Sequence, residues 1–392
     1  MTSYKFRLYS NAVRSGYLSY LIDLHARLWN YCIKLHDKYY EWYGKFLTAY
    51  KLKKFLTKVK KTASGAWIKE LPSQSVQDVV ERIDKACQRH FADRRIAFPS
   101  YKKWCKYKSF TLKQCGYKFL EDNQIKLLGN VYKYVKSREI KGEIKTLTIK
   151  RDNLGNLWMV VVAAKYERSE IKPASGKIVG FDFGMKHMLV GSDGTIIDFP
   201  LCLRKKQNEL KKLNRALSRK KKGSNHRTQA KHRLAKLHQH IQNQRNDLQW
   251  KLARVLLSTY DLIKLEDLNI KGMANRFGKK IGDYGFSDFV TKLKYLARVF
   301  GKRVVQVPRR FPSSKTCSNC GHIKKDLKLS DRTWVCPVCG IEHDRDFNAA
   351  VNILNYREGA SSLGLGEVRP KSNGIKLLGG GIRCLTPESP VL

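Results

Sequence analysis

Cys317-Ser318-Asn319-Cys320, then fifteen residues, then Cys336-Pro337-Val338-Cys339, and shortly after them His343-Asp344-Arg345-Asp346-Phe347-Asn348-Ala349-Ala350: this stretch decides how the chain is read. Two Cys-x-x-Cys knuckles at this separation each present two thiolates to one side of a tetrahedral ion. Cys317, Cys320, Cys336 and Cys339 are therefore expected to ligate Zn2+. A carboxylate-bearing segment follows within a few residues. A small metal-stapled module fixed against a pair of acids suggests a nuclease more than a stand-alone finger.

Composition supports a polyanionic partner. The 392 residues carry 78 Lys and Arg against 33 Asp and Glu, a formal net charge of +45. Such an excess repels itself in a compact chain and normally faces nucleic acid; a basic scaffold protein is the plainer alternative. No apolar run approaches the roughly 20 residues that span a bilayer, and the polar start Met1-Thr2-Ser3-Tyr4-Lys5 has no apolar signal core. The expectation is a cytoplasmic protein with no membrane partner. Of the ten cysteines, the six outside the knuckles are scattered without partner spacing, as in a reducing compartment.

Periodicity divides the chain. Residues 1–10 and 96–170 read as a small antiparallel β-barrel, with the turn Arg151-Asp152-Asn153-Leu154-Gly155-Asn156 before the apolar strand from Leu157. Aromatics from Tyr101 to Tyr134 alternate with lysines there, a texture for stacking on bases or, equally, for a core beneath a solvated face. Residues 11–95 read as helical: Leu18, Leu21, Leu24, Leu28, Tyr31, Cys32 and Leu35 recur at helical steps, and Ser73 or Ser75 is placed to cap a second helix. After a linker at 172–176, residues 171–310 read as an α/β domain. Within it, 201–250 is a basic helical hairpin holding fifteen Lys or Arg and two acids, Glu209 and Asp247. Residues 311–342 form the zinc module, 343–358 a last helix, and the Gly-rich 359–392 is expected to be disordered.

Three carboxylates stand out. Asp182 lies within an apolar strand, where a charge is expensive unless paired or metal-bound. Glu266 ends a second apolar strand, and Asp346 opens a helix on the face of Ala350 and Ile353. Converging, they would hold two Mg2+ (or Mn2+) ions about 4 Å apart for phosphodiester hydrolysis. Asp344 rivals Asp346, with one as ligand and the other as cap; Asp346 is favoured by its helical face. Asp267 rivals Glu266, and strand parity does not separate them.

Taken in order, Asp182 in Gly180-Phe181-Asp182-Phe183-Gly184, Glu266 in Leu265-Glu266-Asp267-Leu268, Pro312 to Gly321 and Asp344 to Ile353 closely resemble the TnpB family. These are the transposon-encoded OrfB proteins, related to compact type V CRISPR effector nucleases. The resemblance implies a multidomain α/β protein: a RuvC-like (RNase H-type) nuclease fold with an inserted helical hairpin and four-Cys zinc ribbon, plus an N-terminal wedge barrel with a helical recognition insertion. It implies Asp182, Glu266 and Asp346 as the catalytic, Mg2+-binding triad and the four cysteines as Zn2+ ligands. It also implies a structured guide RNA from the transposon end, one per protein monomer, and double-stranded target DNA cut beside a short transposon-adjacent motif.

Two other classes compete. A nuclease-inactive RNA-guided repressor would share the zinc and the charge without needing all three acids. A transposase, or an accessory of one, would use similar metal chemistry, but the 19 tyrosines have no neighbouring His-hydrophobic-His motif of the single-strand enzymes.

Overall fold

Alternation in strand β1 (Thr2–Tyr9) buries Tyr4, Phe6 and Leu8 and leaves Ser3, Lys5 and Tyr9 exposed. The structure is a computed structural model and describes residues 1–9, 11–164, 174–328 and 330–357. It divides into two units, within Met1–Glu167 and Arg168–Leu392. The linker expected at 172–176 lies partly, and the tail from 359 wholly, outside the described residues.

In the first unit, helix α1 (Ala12–Tyr43) is opened by Asn11, whose Oδ1 accepts the Arg14 N–H, and closed by Gly44 at φ 60°. The apolar seam packs as its spacing requires, with Leu18, Leu21, Leu28 and Cys32 buried. Helix α2 (Ala49–Val59) and a 3-10 turn over Ala63–Glu70 are not among the expected elements. Helix α3 (Ser73–Ala92) forms as expected, but neither serine caps it. Pro72 holds the N-cap position, and Ser75 Oγ donates to Pro72 O and meets Nε2 of buried His25, each at 2.7 Å.

Strands β2 (Ser109–Leu112), β3 (Tyr117–Phe119), β4 (Gln124–Leu127), β5 (Asn130–Tyr134), β6 (Glu143–Arg151) and β7 (Leu157–Ala164) complete an antiparallel sheet ordered β2-β6-β7-β1-β5-β4-β3. In place of a closed barrel this is a nearly closed sheet, with no ladder joining β2 to β3 among the described residues. Most of the aromatics belong to its core: Tyr107, Phe110, Tyr132 and Tyr134 are buried, while Tyr101 and Trp104 are exposed.

The second unit is built on strands β8 (Ile178–Asp182), β9 (Leu189–Gly191), β10 (Ile196–Ile197), β11 (Leu262–Glu266) and β12 (Arg303–Val307), ordered β10-β9-β8-β11-β12. β8 and β12 run parallel to β11, and β9 returns antiparallel on β8. Parallel strands need crossovers, and the chain supplies helices for them. Short α4 (Cys202–Lys205), α5 (Gln207–Ser218) and α6 (Asn225–Thr259) lead from β10 to β11, and α7 (Ile270–Tyr284) and α8 (Phe286–Phe300) from β11 to β12. Helix α7 is not among the expected elements.

The basic hairpin is α5 and the first half of α6. Leu210, Leu237 and Ile241 bury one seam, and Arg227 closes the turn by donating to Leu217 O and Lys220 O, both at 2.8 Å. The expected boundary at residue 250 is no break. Helix α6 continues to Thr259, and Leu252, Ala253, Leu256 and Leu257 enter the core beneath the sheet. Among the described residues no helix is long and apolar enough to cross a membrane.

After β12 come the two short strands β13 (Thr333–Val335) and β14 (Glu342–Asp344), and then α9 (Arg345–Asn355). Helix α9 lies directly on β8. A Cβ added at Gly180 would sit 2.4 Å from both Ala350 O and Leu354 N, so only glycine permits this approach. Lys264 secures the far end of the helix, its Nζ donating to Leu354 O and Tyr356 O at 2.7 Å each, a cation placed at the negative pole. Gly180→Ala is expected to cost about 3 kcal/mol or more, because the obstacle is backbone and the helix itself must lift. Urea unfolding of the variant checks this; an unchanged midpoint would show that α9 is free to shift.

Candidate active site and metal centre

The pairing of β8 and β11 settles which acids share a face. Gly180 pairs with Lys264, so two residues on, Asp182 and Glu266 also stand side by side on the α9 face. Ile263 and Leu265 point to the opposite, buried side. Asp267 turns away to Arg309, with Nη2 3.0 Å from its Oδ2, which separates the two rivals. At the start of α9 the other ambiguity resolves in the same way. Asp344 is the exposed N-cap, accepting the Phe347 N–H at 2.9 Å, whereas the Asp346 side chain is 14% exposed in the first turn. A Cβ on Gly184, just past β8, would lie 3.8 Å from Asp346 Oδ2, so the end of β8 and the helix start meet.

The electrostatics record this convergence. Burial, then the charges of Glu266 and Asp346, push the Asp182 carboxyl up to about 8. Burial, then Asp267, pushes Glu266 up to about 6. Two arginines offset the acids: Arg345 Nη2 lies 3.4 Å from Asp346 Oδ1, and Arg332 Nη1 lies 3.6 Å from Oδ2. A carboxyl kept protonated by burial and by two neighbouring carboxylates belongs to a donor set that a divalent cation would relieve, so the residues fit Mg2+ or Mn2+. Among the described residues, the ligand atoms that gather within 4.8 Å of one another are those of the four cysteines.

That second centre comes from two similar turns. Cys317 O accepts the Gly321 N–H and Cys336 O the Gly340 N–H, both at 2.9 Å. Gly321 and Gly340 adopt φ 77° and 70°, the left-handed conformation such a turn demands. Sγ–Sγ distances of 3.6 Å (Cys317–Cys339) and 3.5 Å (Cys320–Cys336) approach the ~3.8 Å edge of a tetrahedron with Zn–S near 2.3 Å. The backbone N–H of Ile341 holds the Cys339 thiol down to about 6, a ready thiolate. The set fits zinc.

Two buried asparagines fasten this module to α9. Asn348 accepts the Ser318 N–H at 2.9 Å and donates to Thr316 O at 2.8 Å; Asn352 donates to Ser313 O (2.8 Å) and Thr316 O (2.6 Å). Sequence reasoning missed them, although polar residues four apart on an apolar helix face are a signal. It also missed Arg332 and Arg345, for which only proximity to Asp346 would have spoken.

Comparison with known proteins finds relatives along most of the chain. The OrfB_IS605 family model, described as a probable transposase, matches residues 161–276, and a Cas12f1-like TNB domain model matches residues 286–353. A Streptomyces pristinaespiralis protein named "Putative RNA-guided DNA endonuclease" is 29% identical over 377 residues, 94% of this chain and 92% of its own. The chain is similar to the TnpB (OrfB) family along most of its length. The Escherichia coli K12 relative InsQ, named likewise, is 27% identical over 89% of this chain and 90% of its own. Among solved structures, Cas12f1 in complex with sgRNA and target DNA superposes with a TM-score of 0.56 at 13% identity, covering 88% of this chain and 83% of that one, a likeness of fold.

Asp182 gives the unit a pH signature. Its folded-state carboxyl keeps a proton that the unfolded chain has lost, so it favours the metal-free fold at low pH. That contribution fades as pH rises from about 4 through about 8. In EDTA, Asp182→Asn should therefore gain stability relative to the unsubstituted protein between pH 5 and pH 8.5; denaturant titrations at both ends measure the gap, which stays constant if Asp182 is not buried among charges.

Proposed function

We propose that this chain is an RNA-guided DNA endonuclease of a transposable element, cutting DNA beside a short transposon-adjacent motif by metal-dependent phosphodiester hydrolysis. The observation that carries the reading is the meeting of Asp182, Glu266 and Asp346 on one face of the sheet, with two arginines at its rim. Retaining three acids in a desolvated site costs stability, which a protein that only binds nucleic acid has no need to bear. The curated relatives, spanned nearly end to end, carry endonuclease names.

In this reading Asp182, Glu266 and Asp346 hold two Mg2+ (or Mn2+) ions. When bound, the ions supply an activated water and neutralise charge on the leaving 3′ oxygen. The chain's own residues prepare that chemistry. The sheet fixes Asp182 and Glu266, α9 brings Asp346 over them, and burial excludes bulk water from the first acid. Arg332 and Arg345 lie within reach of a phosphate drawn to the site, where their charge would offset the pentacoordinate phosphorus. The hairpin of α5 and α6, with Lys211, Lys212, Arg215, Arg219 and Lys220 exposed, would track a nucleic-acid backbone, and the N-terminal unit would take the wedge and recognition roles.

Asp182→Ala and Glu266→Gln should each reduce cleavage of a plasmid target by at least about a thousand-fold, roughly 4 kcal/mol, while co-purifying RNA is unchanged. Cleavage surviving in either variant would remove that residue from the site. RNA sequenced from the protein purified out of its host should be one transposon-end species with a variable 3′ segment; a random population would refute guidance.

A further inference from the structure

His343 is a buried side chain with no part in the chemistry above. It lies on β14, 8% exposed, with Nε2 3.0 Å from Cys317 Sγ and its ring 4.9 Å from that of Trp334. It is not counted as a fifth ligand, because among the described residues the ligand atoms that gather within 4.8 Å of one another are those of the four cysteines. Cys317 itself is completely buried, so water does not solvate its sulfur. In the zinc-bound state that sulfur is a thiolate without a proton. A nitrogen 3.0 Å away must then carry the hydrogen, which fixes the Nε2–H tautomer.

We infer that His343 is an outer-sphere donor to the Cys317 thiolate and, through it, the positioning residue that ties the metal centre to the acid-bearing end of α9. This rests on reading the four cysteines as a zinc site. Four thiolates around Zn2+ leave a net charge of about −2, and in a buried setting one N–H aimed at a sulfur offsets part of it and fixes the ligand's orientation. The register carries the effect onward. His343 pairs with Trp334 across the β13–β14 ladder, Asp344 caps α9, and Asp346 stands in its first turn. Asn348 and Asn352 pin the same helix to the backbone of the first knuckle and its approach. The helix start is thus held by the knuckle on one side and by the histidine on the other.

The test uses the full-length protein with His343→Phe, which keeps the ring and removes the donor, and His343→Gln, which keeps an N–H at similar reach. Zinc content of the unsubstituted protein is measured first; a protein without zinc overturns the site, and this inference with it. Zinc transfer to a chromogenic chelator should be about 10- to 100-fold faster in His343→Phe. The sulfur-to-cobalt absorption of the Co2+-loaded variant should shift to lower energy, because the thiolate has lost a hydrogen bond. His343→Gln should restore both, and with them the target cleavage lost in His343→Phe. If His343→Gln behaves as His343→Phe does, packing on Trp334 and not donation is at stake, and the assignment fails. It fails equally if the Phe variant holds zinc with unchanged release and an unshifted band.

Discussion

The backbone of α9 rests on Gly180, and much of the second unit is arranged around that contact. A helix normally stands off a sheet by the length of the side chains between them. Here one missing Cβ lets the helix settle onto β8, which carries its first turn to the end of the strand and sets Asp346 beside Asp182. Lys264, on the same face one strand over, holds the other end by its last carbonyls. The acids are therefore brought together by backbone geometry and one half-buried cation, without attraction among the acids themselves. Burial and their mutual repulsion both oppose the arrangement, and both push the Asp182 carboxyl up.

The metal-binding module adds a constraint from outside the sheet. Short and poor in apolar residues, it has little core of its own beyond Leu327, Trp334 and two of the cysteines. A module of that size needs a metal to order it. Buried asparagine side chains then pass that order to α9. Amide groups suit the task because each both donates and accepts, so Asn348 reads two backbone groups of the knuckle at once.

Much of this was legible in the chain, for identifiable reasons. The cysteine spacing stated its geometry outright, and apolar periodicity located β8, β11, α1, α3 and α8. Asp182 betrayed itself as a charge inside an apolar strand. The choices between Glu266 and Asp267, and between Asp344 and Asp346, depend on which side of a strand or helix faces a neighbour distant in sequence; only the pairing of Gly180 with Lys264 and the cap on Phe347 decide them. Helix α2 does carry a seam of Leu52, Leu56 and Val59, but it is short and crowded by lysines, and α7 holds three glycines that lower its helix propensity. The serines in the first turn of α3 mislead for a different reason. His25, buried against Phe110, recruits Ser75, and a tertiary partner outweighs a local capping preference.

Helix α6 is a single unbroken rod of 35 residues, about 52 Å long at 1.5 Å per residue. Its outer half is one arm of the cationic hairpin, while its inner half packs Leu252, Ala253, Leu256 and Leu257 under the strands that carry Asp182 and Glu266. No loop or glycine separates the two halves to absorb movement. A load applied to the charged end acts as torque on a lever whose fulcrum is the hydrophobic core. The cationic arm and the core beneath the acid-bearing strands thus share one mechanical element.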